Sequence, residues 1–233
     1  MNRESDIIQS KLTIILAESE LERIPHSIIR HPQIKSYAKK RNDTASNLLL
    51  DATYHHAAMR GLAECSRRGR PDIVHRCMLY VLDSWANAQG LVNMYVHTRN
   101  DEVIWINPKT RLPRQFNRFI GLIEQLFKEK EILTSDDTLL TYSKKSLKDL
   151  LSEQKGEMVL YWEQGQKSTI YDMFSSKNNL SFTIVLGGFP HGDFHHASSL
   201  INQKISVEAA SYTASYLLTK TLINYEQICC QHY

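Results

Sequence analysis

Short apolar runs rich in β-branched residues recur along the chain, and the segments between them carry the three-to-four-residue apolar spacing of helices. Residues 12–17 (LTIILA), 91–97 (LVNMYVH), 103–106 (VIWI), 158–162 (MVLYW), 182–186 (FTIVL) and 205–207 read as strands. Those without polar alternation must be buried on both faces, which calls for a mixed or parallel sheet covered by helices. Helical patterns fall at residues 73–82, 119–127, 147–151 and about 212–228. Strand and helix alternate, so the fold class is α/β. Residues 20–70 differ. They are polar, rich in Lys and His and helical in period without clear strands, and read as an inserted helical segment. Asn100-Asp101 lies between two strand-like runs and signals a β-hairpin over about residues 90–107. No internal repeat or low-complexity tract is present.

At 233 residues and 42% hydrophobic composition, a chain buries roughly 70% of its unfolded surface and needs neither disulfides nor a structural metal. One domain over residues 1–233 is expected. Gly and Pro together reach about half their usual share, which argues against a loop-rich all-β or disordered chain. No apolar run approaches the roughly 20 residues that cross a bilayer, and the first ten residues are polar, unlike a signal peptide. The four cysteines, Cys65, Cys77, Cys229 and Cys230, form no CxxC pair. Reduced thiols and a cytoplasmic location without membrane contact are expected.

The net charge of +3 is too mild to name a partner, so its distribution must. Arg60, Arg67, Arg68, Arg70 and Arg76 cluster in one segment, and Lys109, Arg111, Arg114 and Arg118 in another. Arginine suits bidentate phosphate contacts and base stacking, and the two clusters together favour RNA over solvated surface. If Pro113 starts a helix, Arg111, Arg114 and Arg118 share one outward face. Phe116 and Phe119 lie among them as stacking partners or as core. Asp72 either buttresses Arg70 or caps the following helix, and either role makes it costly to replace.

The strand at 182–186 runs into Gly187-Gly188-Phe189-Pro190-His191-Gly192-Asp193-Phe194. Paired glycines at the carboxyl end of a strand let a ligand approach the backbone, although such a pair is a plain turn more often than a site. It is not the GxGxxG dinucleotide fingerprint. His191, Asp193, His195 and His196 have no matching ligand set elsewhere, so no metal is expected. His55 and His56 read as helix-surface or packing residues. No GxSxG, HExxH, Walker or kinase signature occurs.

Three motifs together resemble the ribosome-biogenesis pseudouridine N(1)-methyltransferases of the SPOUT superfamily: Arg70-Pro71-Asp72-Ile73-Val74-His75, the Asn107-to-Leu122 arginine segment, and Leu186 through Phe194. Residues 37–41 (YAKKR) and Leu50-Asp51-x-x-Tyr54-His55-His56 are similar to archaeal members. The resemblance spans about residues 12–222. It implies a homodimer, a C-terminal trefoil knot over about residues 156–228, and S-adenosylmethionine as cofactor. By resemblance the cofactor contacts are Leu160, Tyr161, Gly187, Gly188, Gly192, Val207, Glu208, Ala209, Ala210, Ser211 and Tyr212. Ser211-Tyr212 stands where the family has Pro-Leu. Arg70, Arg111, Arg114 and Arg118 match rRNA-binding arginines, with Asp72 the acid that holds the first. Small-subunit rRNA is the implied partner, and other ribosome-assembly proteins are compatible with that role.

Methylating a ring nitrogen needs alignment more than a nucleophile, and a base to take the departing proton helps. Asp101 is the candidate base, because its hairpin precedes the arginine segment. A plain Asn-Asp turn is the other reading. The target base is expected to flip out of its stack. Two further readings stand beside the enzyme: a non-catalytic rRNA-binding assembly factor on the same fold, and a generic α/β nucleotide-binding enzyme, which leaves the arginines without purpose.

Overall fold

The computed structural model describes residues 11–175, 181–207 and 211–231. The chain enters through β1 (Leu12–Ser19), followed by α1 (Pro32–Arg41) and α2 (Ala52–Met59) of the inserted segment. Helix α3 (Pro71–Leu82) and the short α4 (Trp85–Ala88) lead to β2 (Val92–Thr98), which turns into β3 (Glu102–Ile106). Next come α5 (Phe116–Glu129), β4 (Glu131–Leu133), β5 (Thr138–Lys144) and α6 (Leu147–Ser152). The C-terminal part runs β6 (Glu157–Ser168), α7 (Ile170–Ser175), β7 (Phe182–Gly187), α8 (Ala197–Leu200), β8 (Lys204–Val207) and α9 (Ala214–Gln231).

The strands form one eight-stranded sheet in the order β4-β5-β3-β2-β1-β7-β6-β8. β1 pairs in parallel with β2 and β7, and β6 with β7 and β8, while β3, β4 and β5 add an antiparallel edge. All eight residues of β1 are buried. Its two faces feed separate cores, as a period of two requires: Leu12, Ile14 and Leu16 pack with Val74, Met78 and Phe119, and Ile15 and Ala17 with Leu150, Leu160 and Val185. The inserted segment has a small core of its own around Ile34, Leu48, Leu50 and Met59, which explains how a polar stretch stays folded on the sheet. It is tied to α5 by Glu124, whose carboxylate accepts from the Leu49 N–H at 3.1 Å and pairs with Arg41, rather than by a strand.

Helix α5 begins at Phe116, with Gln115 as its N-cap, and not at Pro113. The expected common face of Arg111, Arg114 and Arg118 is therefore corrected: the first two precede the helix and only Arg118 is on it. The cause lies in the apolar side chains. Phe119, Ile120, Ile123, Leu126 and Phe127 set the buried stripe, and the Pro113 carbonyl is held by His75 Nε2 at 2.8 Å. His75 also stacks on Phe119, with ring centroids 4.4 Å apart, so Phe119 is core. Strand β6 continues to Ser168, beyond the expected 158–162 run, because Gln166, Lys167 and Ser168 pair with β8. β4 and β5 carry too little unbroken apolar sequence to read as strands.

Candidate functional site

The parallel strands β6, β7 and β8 end on one side of the sheet, where α/β folds place ligand sites. A cleft of about 740 Å³ opens there, between the loop after β7, the segment leading into α9 and the start of α3. Small-molecule pockets commonly hold about 300–1,000 Å³. Leu186, Phe189, Pro190, Phe194, Ile73 and Leu217 supply apolar wall, and Arg70, Asp72, Arg76, Glu163 and Asp193 supply charge.

Of the residues expected at a cofactor, Tyr161, Gly187, Gly192, Val207, Ser211 and Tyr212 border this cleft. Tyr161 is buried, and its hydroxyl hydrogen-bonds Thr221 Oγ1 at 2.9 Å, anchoring β6 to α9. Leu160 is also fully buried, but its side chain packs in the core of the opposite sheet face and is absent from the cleft wall. Gly188 shapes the site without lining it. Its N–H donates to the Ala17 carbonyl at 2.9 Å, and a Cβ there would lie 2.0 Å from Ser19 Oγ. At Gly187 a Cβ would meet the Phe189 ring at 2.7 Å. Glu208, Ala209 and Ala210 lie outside the described residues.

The arginines separate into kinds that spacing does not distinguish. Arg70 and Arg76 reach the cleft rim. Arg70 Nε and Nη2 grip Asp72 Oδ1 and Oδ2 at 2.8 Å each, which makes Asp72 a buttress. Burial by itself would raise the Asp72 carboxyl, but the hydrogen bonds and charge of Arg70 outweigh it and hold it below the usual carboxylate range. Arg111, Arg114 and Arg118 are exposed, and Arg114 pairs with Asp83 at the far end of α3. Arg67 and Arg68 are corrected from the expected RNA-facing cluster: Arg67 is buried between Glu18 and Glu20, and Arg68 holds Glu22 at 2.7 Å.

Asp101 turns the β2–β3 hairpin at φ +53°. The Glu18 N–H donates to His97 Nδ1 at 3.3 Å, so the imidazole proton sits on Nε2 and donates to Asp101 Oδ1 at 3.1 Å. Burial pushes the His97 pKa below its ordinary value against the opposing pull of Asp101. The Asp101 side chain borders a second concavity with Arg23, Arg99 and Lys144 rather than the first cleft.

Trp162 and Glu163 line the cleft without being singled out as site residues by the sequence pattern. Trp162 Nε1 donates to Asp193 Oδ1 at 2.7 Å, Ser211 Oγ to Glu163 Oε1 at 2.6 Å, and Tyr212 stacks on Tyr216 at 4.7 Å. Trp162 and Asp193 both lie in segments that stand out in the sequence, but a pairing across 31 residues leaves no trace in spacing. Among the described residues no group of three or more His, Cys, Asp or Glu is placed to hold a metal. A cleft with glycine backbone, aromatic wall and three carboxylates, one of them paired with Arg70, can take a small organic cation.

Comparison with known proteins bears on the whole chain. The model of the EMG1/NEP1 methyltransferase family matches residues 14–226. A ribosomal RNA small subunit methyltransferase Nep1 from Pyrococcus furiosus is 45% identical over 222 residues, covering 94% of this chain and 98% of that protein. The Nep1 of Thermococcus onnurineus is 45% identical over 92% of this chain and 98% of its own length. The crystal structure of Archaeoglobus fulgidus Nep1 bound to S-adenosylhomocysteine superposes with a TM-score of 0.83 at 36% identity, covering 95% of this chain and 99% of that one. An eight-stranded mixed sheet of this order, a cleft at its parallel carboxyl ends and agreement over nearly the full length leave one conclusion: the chain belongs to the EMG1/NEP1 methyltransferase family.

Proposed function

We propose that the protein methylates N(1) of a pseudouridine in small-subunit ribosomal RNA, using S-adenosylmethionine, and serves small-subunit ribosome biogenesis. The observation that carries this is the 740 Å³ cleft walled by the glycine loop after β7, in a family whose named relatives are rRNA methyltransferases and one of which was solved with S-adenosylhomocysteine. When bound, the cofactor supplies an electrophilic methyl group on a sulfonium. Tyr161, Gly187, Gly192, Val207, Ser211 and Tyr212 hold it, with Leu160, Glu208, Ala209 and Ala210 assigned by family resemblance. Glu163 and Asp193 place negative charge on the wall that receives a cation, and the Phe189 and Phe194 rings exclude water.

Arg70 and Arg76 at the rim, with the exposed Arg111, Arg114 and Arg118, hold RNA phosphates so that a flipped base is presented to the cleft. Asp101, oriented by His97, borders the second concavity and accepts the N(1) proton only where the flipped base bridges that concavity and the cofactor cleft. The whole chain is read as one SPOUT-type domain with the trefoil knot over about residues 156–228. A homodimer is supported by Tyr80, Trp85, Tyr216 and Ile223, large apolar side chains left between 37% and 48% exposed on or beside helices that pack together. Location in the cytoplasm follows from that role, and no helix among the described residues is long and apolar enough to cross a membrane. The assembly-factor reading draws on Ser211-Tyr212 as a degraded cofactor loop, but both residues border a formed cleft.

Calorimetric titration with S-adenosylmethionine, with methyl incorporation into a small-subunit rRNA hairpin containing pseudouridine or uridine, tests this. Cofactor uptake with transfer only to pseudouridine is expected. Tight, salt-sensitive hairpin binding without cofactor uptake returns the assembly factor.

A further inference from the structure

The loop after β7 forms much of one cleft wall, through Phe189, Pro190, Gly192, Asp193 and Phe194, yet it has no regular secondary structure before Ala197. Such a loop keeps one shape only where something outside it satisfies its backbone. Glu18, at the end of β1 and 2% exposed, does so with three consecutive amides. The His195 N–H donates to its Oε2 at 2.7 Å, and those of His196 and Ala197 to its Oε1 at 2.8 and 3.0 Å. Helix α8 starts there, and His196, its N-cap, makes no side-chain capping bond. Glu18 therefore caps the helix from a distant strand.

Arg67, 4% exposed, closes the arrangement. Its Nη2 lies 3.3 Å from Glu18 Oε2 and its Nε 2.7 Å from Glu20 Oε1, while Nη1 donates to the Asp193 carbonyl. The guanidinium carbon sits 3.7 Å over the centroid of the Phe189 ring. Arg99 Nη1, 2.7 Å from Glu20 Oε2, balances the second carboxylate from a half-buried position, so the two buried acids face two bases. The backbone of Glu18 is left-handed at φ +50°, where the β1–β2 register shifts. Ending a strand requires no such conformation in a non-glycine residue. Here it turns the carboxylate out of the ladder toward the loop.

We infer that Glu18 and Arg67 are positioning residues for the cofactor, holding residues 189–197 in the binding shape before the ligand arrives. This rests on the methyltransferase reading. A loop ordered in advance spares binding the cost of ordering it, so loss of the pair falls on cofactor affinity and leaves RNA affinity in place.

The test titrates the full-length protein with S-adenosylhomocysteine by calorimetry, titrates it separately with the pseudouridine hairpin, and measures KM for both substrates. Wild type is compared with Glu18→Gln, Arg67→Lys and Leu140→Ala. Leu140 is buried in β5 and away from the cleft, so it reports loss of stability alone. Glu18→Gln is expected to weaken S-adenosylhomocysteine binding about 10- to 100-fold and to raise KM for S-adenosylmethionine, with hairpin affinity within about threefold of wild type. Arg67→Lys keeps the charge but loses the planar fork, and weakens cofactor binding less. Leu140→Ala melts earlier yet binds cofactor as wild type does. Unchanged cofactor affinity in Glu18→Gln overturns the proposal, as does an equal loss in Leu140→Ala. Wild type that binds no S-adenosylhomocysteine overturns the functional reading itself, a different result from wild type that binds while Glu18→Gln is indifferent. If Glu18→Gln does not fold, Arg67→Lys decides by the same criterion.

Discussion

His55 shows how much a single buried side chain can conceal. It is fully buried, its Nδ1 accepts from the Asp51 N–H at 3.0 Å, and Nε2 has no partner. Burial lowers its pKa from 6.5 to about 4. Above pH 6.5 the ring is neutral both folded and unfolded and contributes no pH dependence. As pH falls from 6.5 to about 4 the unfolded chain takes up a proton that the folded one refuses, so stability is lost across that window. The loss reaches about 3 kcal/mol at 1.36 kcal/mol per pKa unit. In urea melts from pH 7.5 to 4, His55→Asn should show a shallower decline than wild type, whatever its stability at pH 7.5. A parallel decline would remove His55 as the cause. Asp72 presents the opposite case. Its pair with Arg70 leaves the two side chains 37% and 38% exposed, so Asp72→Asn should cost at most about 1 kcal/mol of folding stability. The loss should fall on RNA affinity, because Arg70 is then no longer oriented at the rim. The cost of replacing Asp72 should then be read in RNA binding rather than in folding stability.

At the level of elements, the close crossing of β1 and the loop after β7 is the most demanding contact in the site. A Cβ on Gly188 would lie 2.8 Å from the Ser19 Cα as well as 2.0 Å from Oγ, so the backbone itself has to move. Gly188→Ala should cost about 1–3 kcal/mol, the range for overpacking, seen as a lower melting temperature and weaker S-adenosylhomocysteine binding together. Gly61→Ala meets nothing within 4 Å and is the control. The elements with long apolar stretches are legible in the sequence alone: β1, β7, the core of β6, α3 and α9 all fall within a few residues of their expected positions. The start of α5 is not. Pro113 favours a helix start locally, but its carbonyl is committed to His75, and the apolar stripe that decides the helix begins with Phe116. β4 escapes sequence reasoning because its three residues mix charge with partial burial and are held only by pairing with β5.

For the whole molecule, the open arginines and the exposed apolar helices make separate predictions. Arg114 is 76% exposed, and its partner Asp83 51%, so Arg114→Ala should leave folding and cofactor affinity unchanged. Hairpin binding should weaken, with the salt dependence of its logarithm shallower by about one unit, the value for one lost phosphate contact. An unchanged slope would place Arg114 off the RNA. Ile223→Lys puts a charge on the α9 face where Ile223 is 48% exposed. If the proposed homodimer forms through this face, wild type should sediment as a dimer and this variant as a monomer, without a change in circular dichroism. A dimer that persists would move the interface elsewhere.

The class of fold and the position of the glycine loop are legible in the sequence, because unbroken apolar strands and loops that must approach a ligand are constrained residue by residue, and the family is legible only through the resemblance of three motifs. The sequence did not distinguish one arginine from another. Arg67, Arg68 and Arg70 are near neighbours in the chain, yet one is buried against Glu18 and Glu20, one holds Glu22, and one reaches the cleft rim. Only tertiary structure decides such a case, since the acid that claims an arginine is brought by the sheet from about 50 residues away and a charge is buried only where its partner already is. The same holds for Glu18. Its sequence neighbours mark the end of a strand, but its amide partners arrive from 177 to 179 residues downstream.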